Sequence, residues 1–203
     1  MARAADPADG AAAPPGFRYI ADVLSADEER ELVARLDGLA YREVRMRGVA
    51  ARRTVVHYGW DYGYDSWTVT PTAPVPEFLV PLRERAGGLA GLPPAALEQV
   101  LVARYPAGAG IGWHRDAPMF GPVVVGVSLG APCVMRFRRG SGPGRDLRRI
   151  PLGSRSAYVL SGAARAAWQH SVPPVAALRY SLTFRTLRRD PASLSPARGR
   201  GSG

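Results

Sequence analysis

Cysteine is nearly absent from this chain of 203 residues, in which Cys133 is the single one. An internal disulfide and a zinc site built from several thiolates are therefore excluded. The longest apolar stretch, about residues 123–135, contains Gly, Ser and Pro and is too short to span a bilayer. Residues 1–16 lack the apolar segment of a signal peptide. We expect a cytoplasmic monomer without a membrane segment, and the length fits one domain.

Lysine is missing altogether, so the 27 basic side chains are all arginine and the net charge is +10. The stretch 42–53 holds five arginines and one acid, and the stretch 136–155 holds seven arginines and one acid. Clustered arginine is typical of surfaces that bind polyanions such as nucleic acid. A lysine-free chain rich in Ala, Gly and Pro is also typical of a compositionally biased genome. Charge alone therefore leaves the partner open.

Local patterns predict helices first and a β-rich core after them. Ser25 and Glu28 form a capping-box pattern ahead of leucines at helical spacing, which predicts a helix over 26–39. A second helix is predicted over 77–86, ended by Gly87 and Gly88, with a short helical turn at 94–97. From residue 99 onwards, short β-type runs alternate with Gly/Pro-rich turns. These runs predict an antiparallel sandwich, jelly roll or barrel.

The same patterns divide the chain into four parts. Residues 1–16 and 188–203 show no apolar periodicity and are expected to be disordered tails. Residues 17–98 form an N-terminal region that carries the helices. Residues 99–187 form the β-core.

Histidine is scarce, and two of the three histidines suggest a metal site. His114 and Asp116 are two residues apart, so on a strand both side chains project from the same face. His170 ends a strand-like run that an adjacent strand could bring beside this pair. Two imidazoles and one carboxylate bind one face of an octahedral iron. A hydrolytic zinc accepts the same set, although no glutamate base lies near the pair. A surface His near an Asp is also common.

The last β-type run, RYSLTFR, has one polar and one apolar face. Arg179, Ser181, Thr183 and Arg185 share the polar face. Arginine inside a β-core is costly unless it meets an anion such as a carboxylate. An exposed face of an edge strand is the alternative. Six residues of strand cover about 20 Å, so the two arginines are too far apart to grip one carboxylate together.

These motifs, together with ARYPAGAGIGWHRD, SLGAPCVMRFR and SGAARAAWQHSVPP, resemble the AlkB group of Fe(II)- and 2-oxoglutarate-dependent dioxygenases over about residues 99–187. The resemblance implies a fold that is mostly β with flanking helices (α+β), a double-stranded β-helix, or jelly roll, preceded by N-terminal helices. It implies an oxidoreductase that uses Fe(II), 2-oxoglutarate and O2. The residues implied to bind iron are His114, Asp116 and His170; those implied to bind the co-substrate are Tyr105, Arg179, Ser181 and Arg185.

Departures from the family pattern affect the co-substrate and the substrate. Family members that repair nucleic acid commonly carry Asn where this chain has Ala103 and Ser181. They often follow the H-x-D pair with further acids, where this chain continues with residues 117–120, APMF. Repair of alkylated DNA is therefore not simply inherited from the fold.

The segment RRTVVHYGWDYGYDSW lies where the family builds its substrate lid. Trp60 and Tyr62 are candidates for stacking on an extruded base, and Arg52 and Arg53 for holding phosphates. Aromatic residues that cap the core are the alternative. We regard His57 as a packed or surface histidine and Trp113 as a residue packed beneath the site.

Three functions follow, in order of preference. The first is oxidative removal of N-alkyl groups, above all methyl, from single-stranded or base-flipped DNA or RNA, with release of succinate, CO2 and formaldehyde, as in DNA repair. The second is the same chemistry on protein side chains or a small molecule. The third is a non-catalytic nucleic-acid-binding module, which the complete ligand set disfavours.

Overall fold

The computed structural model describes residues 13–46, 49–62, 69–142 and 144–188. Within these residues, antiparallel strands form two larger sheets and one small sheet, and the two longer helices cover one side of the larger sheet. The β-core with flanking helices that the sequence predicts is confirmed.

The larger sheet has seven strands in the order β1-β11-β8-β13-β6-β3-β2, and every neighbouring pair is antiparallel. Its strands are β1 Phe17–Ile20, β2 Arg42–Met46, β3 Val49–Tyr58, β6 Gln99–Tyr105, β8 Phe120–Gly130, β11 Ser156–Leu160 and β13 Arg179–Leu187. Three of them precede residue 99, so the N-terminal region supplies strands to the same sheet as the β-core.

The smaller sheet has four antiparallel strands in the order β10-β9-β12-β7. Its strands are β7 Ile111–His114, β9 Cys133–Arg139, β10 Asp146–Leu152 and β12 Gln169–Val172. A separate two-stranded sheet pairs β4 Trp60–Tyr62 with β5 Val69–Pro71.

Helix α1, Ala26–Asp37, begins at the predicted capping box. The Glu28 backbone N–H donates to Ser25 Oγ at 3.1 Å, and the Ser25 N–H donates to Glu28 Oε2 at 2.7 Å. The helix ends at Asp37, two residues before the predicted end, and Gly38 is its C-cap. A short helix α3, Gly162–Ala166, follows β11. No helix among the described residues is long and apolar enough to cross a membrane.

The second helix departs from its predicted bounds. A 3-10 turn at Glu77–Leu79 leads into α2, Val80–Ala90, and a further 3-10 turn spans Pro94–Ala96. Gly87 lies inside α2, where a Cβ would come 2.8 Å from the Leu92 carbonyl oxygen. This glycine permits close packing rather than ending the helix. The helix ends at Gly91, whose φ of 67° favours glycine.

Two apolar layers enclose the seven-stranded sheet. On one side, α1 and α2 pack against it through Leu36, Leu82 and strand residues such as Val102 and Phe184. On the other side it packs against the four-stranded sheet, through buried residues that include Phe17, Leu160, Phe137 and Trp168. The functional side chains lie between the two sheets.

Candidate active site

Two neighbouring strands of the four-stranded sheet bring the three candidate metal ligands together. His114 at the end of β7 is the register partner of His170 in β12, and the two ring centroids are 4.3 Å apart. Asp116 follows two residues later, with its Oδ2 atom 3.8 Å from His170 Nε2. All three residues line one cavity between the sheets. The spacing of His114 and Asp116 is local, whereas His170 arrives through strand pairing.

The local chemistry keeps both imidazoles neutral and the carboxylate charged. Burial, together with a smaller effect of His114, lowers the pKa of His170 to about 3. Burial also lowers the pKa of His114, although Asp116 opposes this effect. Burial alone would raise the pKa of Asp116, but the positive charge of Arg185 holds it well below its usual value. Neutral imidazoles and an ionised carboxylate are the forms that bind metal ions.

The orientation of the His114 ring also suits a metal ligand. Its Nδ1 atom lies 2.9 Å from the Gly112 carbonyl oxygen, which sets Nδ1 as the donor and leaves the lone pair of Nε2 available. Within the described residues, no group of three or more His, Cys, Asp and Glu side chains has its atoms close enough together to hold a metal ion as it stands. In this trio the Asp116 Oδ1 atom is bound to Arg185, and the Oδ2 atom faces His170.

Arg185 holds the carboxylate in place from the opposite sheet. Its Nη2 and Nε atoms lie 2.7 Å and 2.9 Å from Asp116 Oδ1, and its Nη1 donates to Gln99 Oε1 at 3.0 Å. Both side chains are almost fully buried. The pair leaves Asp116 Oδ2 on the side of His170, so one carboxylate oxygen is fixed and the other remains for a ligand.

Arg179 is a buried cation at the other end of β13. It is 2% exposed, its Nη2 atom donates to Ser128 Oγ at 2.9 Å, and its guanidinium carbon lies 5.3 Å from the centre of the Tyr105 ring. Its Nε atom is buried without a hydrogen-bond partner among the described residues. A buried guanidinium with an open donor is stabilised by an anion. The position therefore fits a carboxylate of 2-oxoglutarate.

The cavity has a volume of about 1050 Å³ and is lined along one wall by β13. Arg179, Ser181, Thr183 and Arg185 all line it, as the alternation of RYSLTFR predicts. An exposed edge strand is excluded, because β13 pairs with β6 on one side and β8 on the other. The volume lies just above the range of about 300–1,000 Å³ that is usual for small-molecule sites.

One arginine of α3 forms hydrogen bonds with the backbone of the segment that carries Asp116. The guanidinium of Arg165 donates to the backbone carbonyl oxygens of Asp116, Ala117 and Phe120 at 3.2, 2.9 and 3.2 Å. These three bonds join a helix on one side of the cavity to the turn that follows the H-x-D pair. Arg165 therefore positions the turn and with it the carboxylate.

The four candidate substrate residues do not lie together in the structure. Arg53 is 3% exposed and lines the cavity. Arg52 is exposed, and its Nη1 atom lies 3.5 Å from the Gly108 carbonyl oxygen, away from the lining. Trp60 is half-buried and is not among the described lining residues. Tyr62 belongs to β4, but its side chain lies outside the described part of the structure.

The sequence patterns do not predict several residues of the site. Ser128 and Gln99 hold the two buried arginines, yet in the sequence each is one polar residue beside an apolar run. His57, expected to be a packed or surface histidine, is buried and also lines the cavity, with Nδ1 2.8 Å from Asp61 Oδ1. The signal available for Ser128 and Gln99 was their polarity in otherwise apolar strands.

The fold and the site define an iron- and 2-oxoglutarate-dependent oxygenase. The chain belongs to the 2OG-Fe(II) oxygenase superfamily, whose family model matches residues 16–185. Its enzymes use Fe(II), 2-oxoglutarate and O2.

Within this superfamily the chain is AlkB-like. It is 30% identical over 217 residues to the Alkylated DNA repair protein ALKBH8 homolog of Arabidopsis thaliana, covering 88% of this chain and 60% of the relative. It is 29% identical over 168 residues to the tRNA (carboxymethyluridine(34)-5-O)-methyltransferase alkbh8 of Xenopus tropicalis, covering 79% of this chain and 26% of the relative. The chain thus spans less than two thirds of the length of the first relative and about a quarter of the second.

The solved structure of OsALKBH1 has the same fold. It superposes with a TM-score of 0.71 at 17% identity, over 87% of this chain and 99% of that chain. This match confirms the jelly-roll architecture expected from the sequence.

Proposed function

We propose that this protein oxidatively removes N-alkyl groups from nucleic acid. For an N-methyl group, each turnover consumes one O2 and one 2-oxoglutarate and yields the demethylated nitrogen, formaldehyde, succinate and CO2. The bound iron supplies the oxidation chemistry, and the residues of this chain supply binding, orientation and shielding from water.

In this proposal the cavity residues divide the work. His114, Asp116 and His170 hold Fe(II), which the neutral imidazoles and ionised carboxylate favour. Arg179 binds the distal carboxylate of 2-oxoglutarate, with Tyr105 beside it. Arg185 fixes Asp116 rather than the co-substrate, since it already holds that carboxylate at 2.7 Å.

The observation that carries the choice of substrate is the charge of the cavity. Six of its described lining residues are arginine, and one, Asp116, is acidic. Asp116 and the two carboxylates of 2-oxoglutarate neutralise part of this charge, but the Fe(II) ion adds to it. Arg53, Arg115 and Arg188 remain for a second anion. A phosphate of a nucleotide meets that requirement, and an electrically neutral metabolite does not.

The names of the relatives support the same class of substrate. One is named for repair of alkylated DNA and the other for a uridine of tRNA. Because this chain spans 26% of the frog protein, the methyltransferase activity in that name is not transferred.

The test is turnover with Fe(II), ascorbate and 2-oxoglutarate on N-methylated single-stranded DNA, single-stranded RNA and tRNA. Succinate and formaldehyde are measured together, against unmodified oligonucleotides and a panel of methylated peptides and small amines. The His114→Ala variant is the inactive control. We expect equimolar succinate and formaldehyde with a methylated nucleic acid and neither product with the variant.

Two results would overturn the proposal in different ways. Succinate release stimulated by a peptide or small amine, with no response to any nucleic acid, would move the same chemistry to the alternative substrates. No succinate under any condition, with intact nucleic-acid binding, would identify a non-catalytic binding module.

A further inference from the structure

Beyond the cavity, the outer face of the four-stranded sheet forms a basic surface around a tryptophan. In β9, Met135 and Phe137 point into the core, so Arg136 and Arg138 point outward. Their guanidinium carbons lie 5.1 Å and 4.6 Å from the centre of the Trp113 ring. Trp113 thus lies under two arginines on this face, while it also belongs to the lining of the cavity. We call these three residues and Arg149 the outer basic face.

Neutral partners fix the two arginines of β9. The Arg136 Nε atom donates to Ser171 Oγ at 3.1 Å, and the Arg138 Nε atom donates to Gln169 Oε1 at 2.7 Å. Both acceptors are their cross-strand partners in β12. Among the described residues neither arginine forms an ion pair, since the acid of β10, Asp146, binds Arg148 instead. Their orientation is therefore set while their charge is left without compensation.

The pairing of β9 with β10 places a further arginine directly opposite an arginine of β9. Arg149 is the register partner of Arg136, and it is exposed. Like charges directly opposite each other on neighbouring strands destabilise a sheet. The other outward register pairs, Leu147 with Arg138 and Pro151 with Val134, bring no acid either. An anion lying across the face would remove this repulsion.

Exposed apolar surface beside the cations distinguishes a nucleic acid from a simple anion. Leu147 is 51% exposed and Val134 is 40% exposed, both on this face, and Trp113 lies among the arginines. Proteins that bind single strands combine a cationic path for the backbone with aromatic and apolar surface for the bases. Trp113 directly precedes His114 in β7, so the face lies on the reverse of the strand that carries a candidate metal ligand.

We propose that the outer basic face binds the backbone of a single-stranded nucleic acid, outside the nucleotide that enters the cavity. This inference rests on the proposed function for the identity of the polyanion. It adds a second area of contact that does not depend on the base sequence. Only strands longer than a few nucleotides can reach both this area and the cavity.

The test measures binding of a labelled, unmodified 20-nucleotide single strand by fluorescence anisotropy over a range of salt concentrations. Each phosphate contact to a single strand contributes about 0.7 to the slope of log affinity against log salt. The double variant Arg136→Gln/Arg138→Gln should therefore lower this slope by about 1.4, and Arg149→Gln alone by about 0.7. The variant Arg136→Lys/Arg138→Lys keeps the charge and should keep most of the slope.

The matched control changes two exposed arginines of α1 on another surface, Arg30→Gln/Arg35→Gln, with the same loss of net charge. An equal loss of slope in this control would overturn the proposal, because only net charge would then matter. Unchanged slopes in the β9 and Arg149 variants would also overturn it. A third result would also overturn it. If these variants lost binding to phosphatidylserine vesicles but kept binding to the oligonucleotide, the face would be assigned to a membrane surface.

Turnover of a methylated trinucleotide separates this inference from the proposed function. The trinucleotide is too short to occupy the cavity and the outer face together. Turnover of the trinucleotide with unchanged salt slopes would leave the proposed function intact and overturn the outer face. Lowered slopes without turnover of any nucleic acid would support the outer face and overturn the proposed function.

Discussion

His57 provides a pH-dependent test of the cavity in which the expected effect has a definite sign. Its side chain is 5% exposed, and its Nδ1 atom lies 2.8 Å from Asp61 Oδ1. Burial lowers the pKa of His57 from 6.5 to about 4; Asp61 opposes this shift, and Arg185 adds to it. The folded protein therefore binds this proton more weakly than the unfolded chain does. The resulting stability is complete above pH 6.5 and is lost as the pH falls towards 4.

The substitution His57→Gln removes the titration and keeps an amide that can donate to Asp61. For a group whose pKa falls from 6.5 to about 4, the contribution to the free energy of unfolding drops by about 2 kcal/mol between pH 7 and pH 5. The wild-type protein should thus lose about 2 kcal/mol more than the variant over this interval. The variant also loses packing, so only the difference in pH dependence is diagnostic.

The assay is urea unfolding of both proteins at several pH values, with a chelator present to keep them metal-free. His114 and His170 titrate in both proteins, so their effect cancels in the comparison. Parallel pH profiles would refute the reasoning, since they would mean that His57 is as easily protonated in the folded state as in the unfolded one. The imidazole proton resonance of His57 gives an independent check, because it should remain that of the neutral ring at pH 5.

Three further predictions concern Arg179, Arg165 and Gly126. Arg179→Met should raise the KM for 2-oxoglutarate by tenfold or more in succinate assays, because loss of one partner of a buried charge pair costs about 2–5 kcal/mol. Arg165→Ala should weaken Mn(II) binding by about 10–100-fold in electron paramagnetic resonance titrations, with partial rescue by Arg165→Lys, because it releases the turn that carries the metal-binding carboxylate. Gly126→Ala should destabilise the fold by at least about 1–3 kcal/mol, since the new Cβ would lie 2.1 Å from the Tyr158 ring. Gly88→Ala, in α2 with nothing within 4 Å, should leave stability unchanged or raise it in the same thermal unfolding assay.

Local sequence patterns predicted the parts of the fold whose causes are local. The capping box of α1 is formed by residues three apart, and the alternating faces of β9 and β13 follow from strand geometry. The end of α2 was misplaced because Gly87 has a tertiary role, close packing against the carbonyl oxygen of Leu92, that no local rule reveals. The place of β1 was also invisible, since Phe17 pairs with Leu160 far along the chain.

The candidate site likewise contains some residues that local spacing predicts and others that only the tertiary structure brings together. Spacing alone placed His114 and Asp116 on one side of the chain, whereas the approach of His170 depends on the pairing of β12 with β7. Ser128 and Gln99 matter because of the arginines they face across the sheet, and their own sequence neighbours carry no sign of it. Local periodicity can therefore identify a polar face but cannot identify which partners that face acquires.

The central position of β13 explains how one strand can serve two functions in the cavity. Arg179 lies at its start, opposite Tyr105 and Gly130, and Arg185 lies six residues later, opposite Gln99 and Val124. This separation, about 20 Å along the strand, prevents both guanidinium groups from binding one carboxylate. Arg185 is accordingly bound to Asp116, while Arg179 keeps a buried donor without a partner among the described residues. If the first arginine binds the co-substrate and the second fixes the metal-binding carboxylate, Arg179→Lys should change mainly the affinity for 2-oxoglutarate, and Arg185→Lys mainly the affinity for the metal.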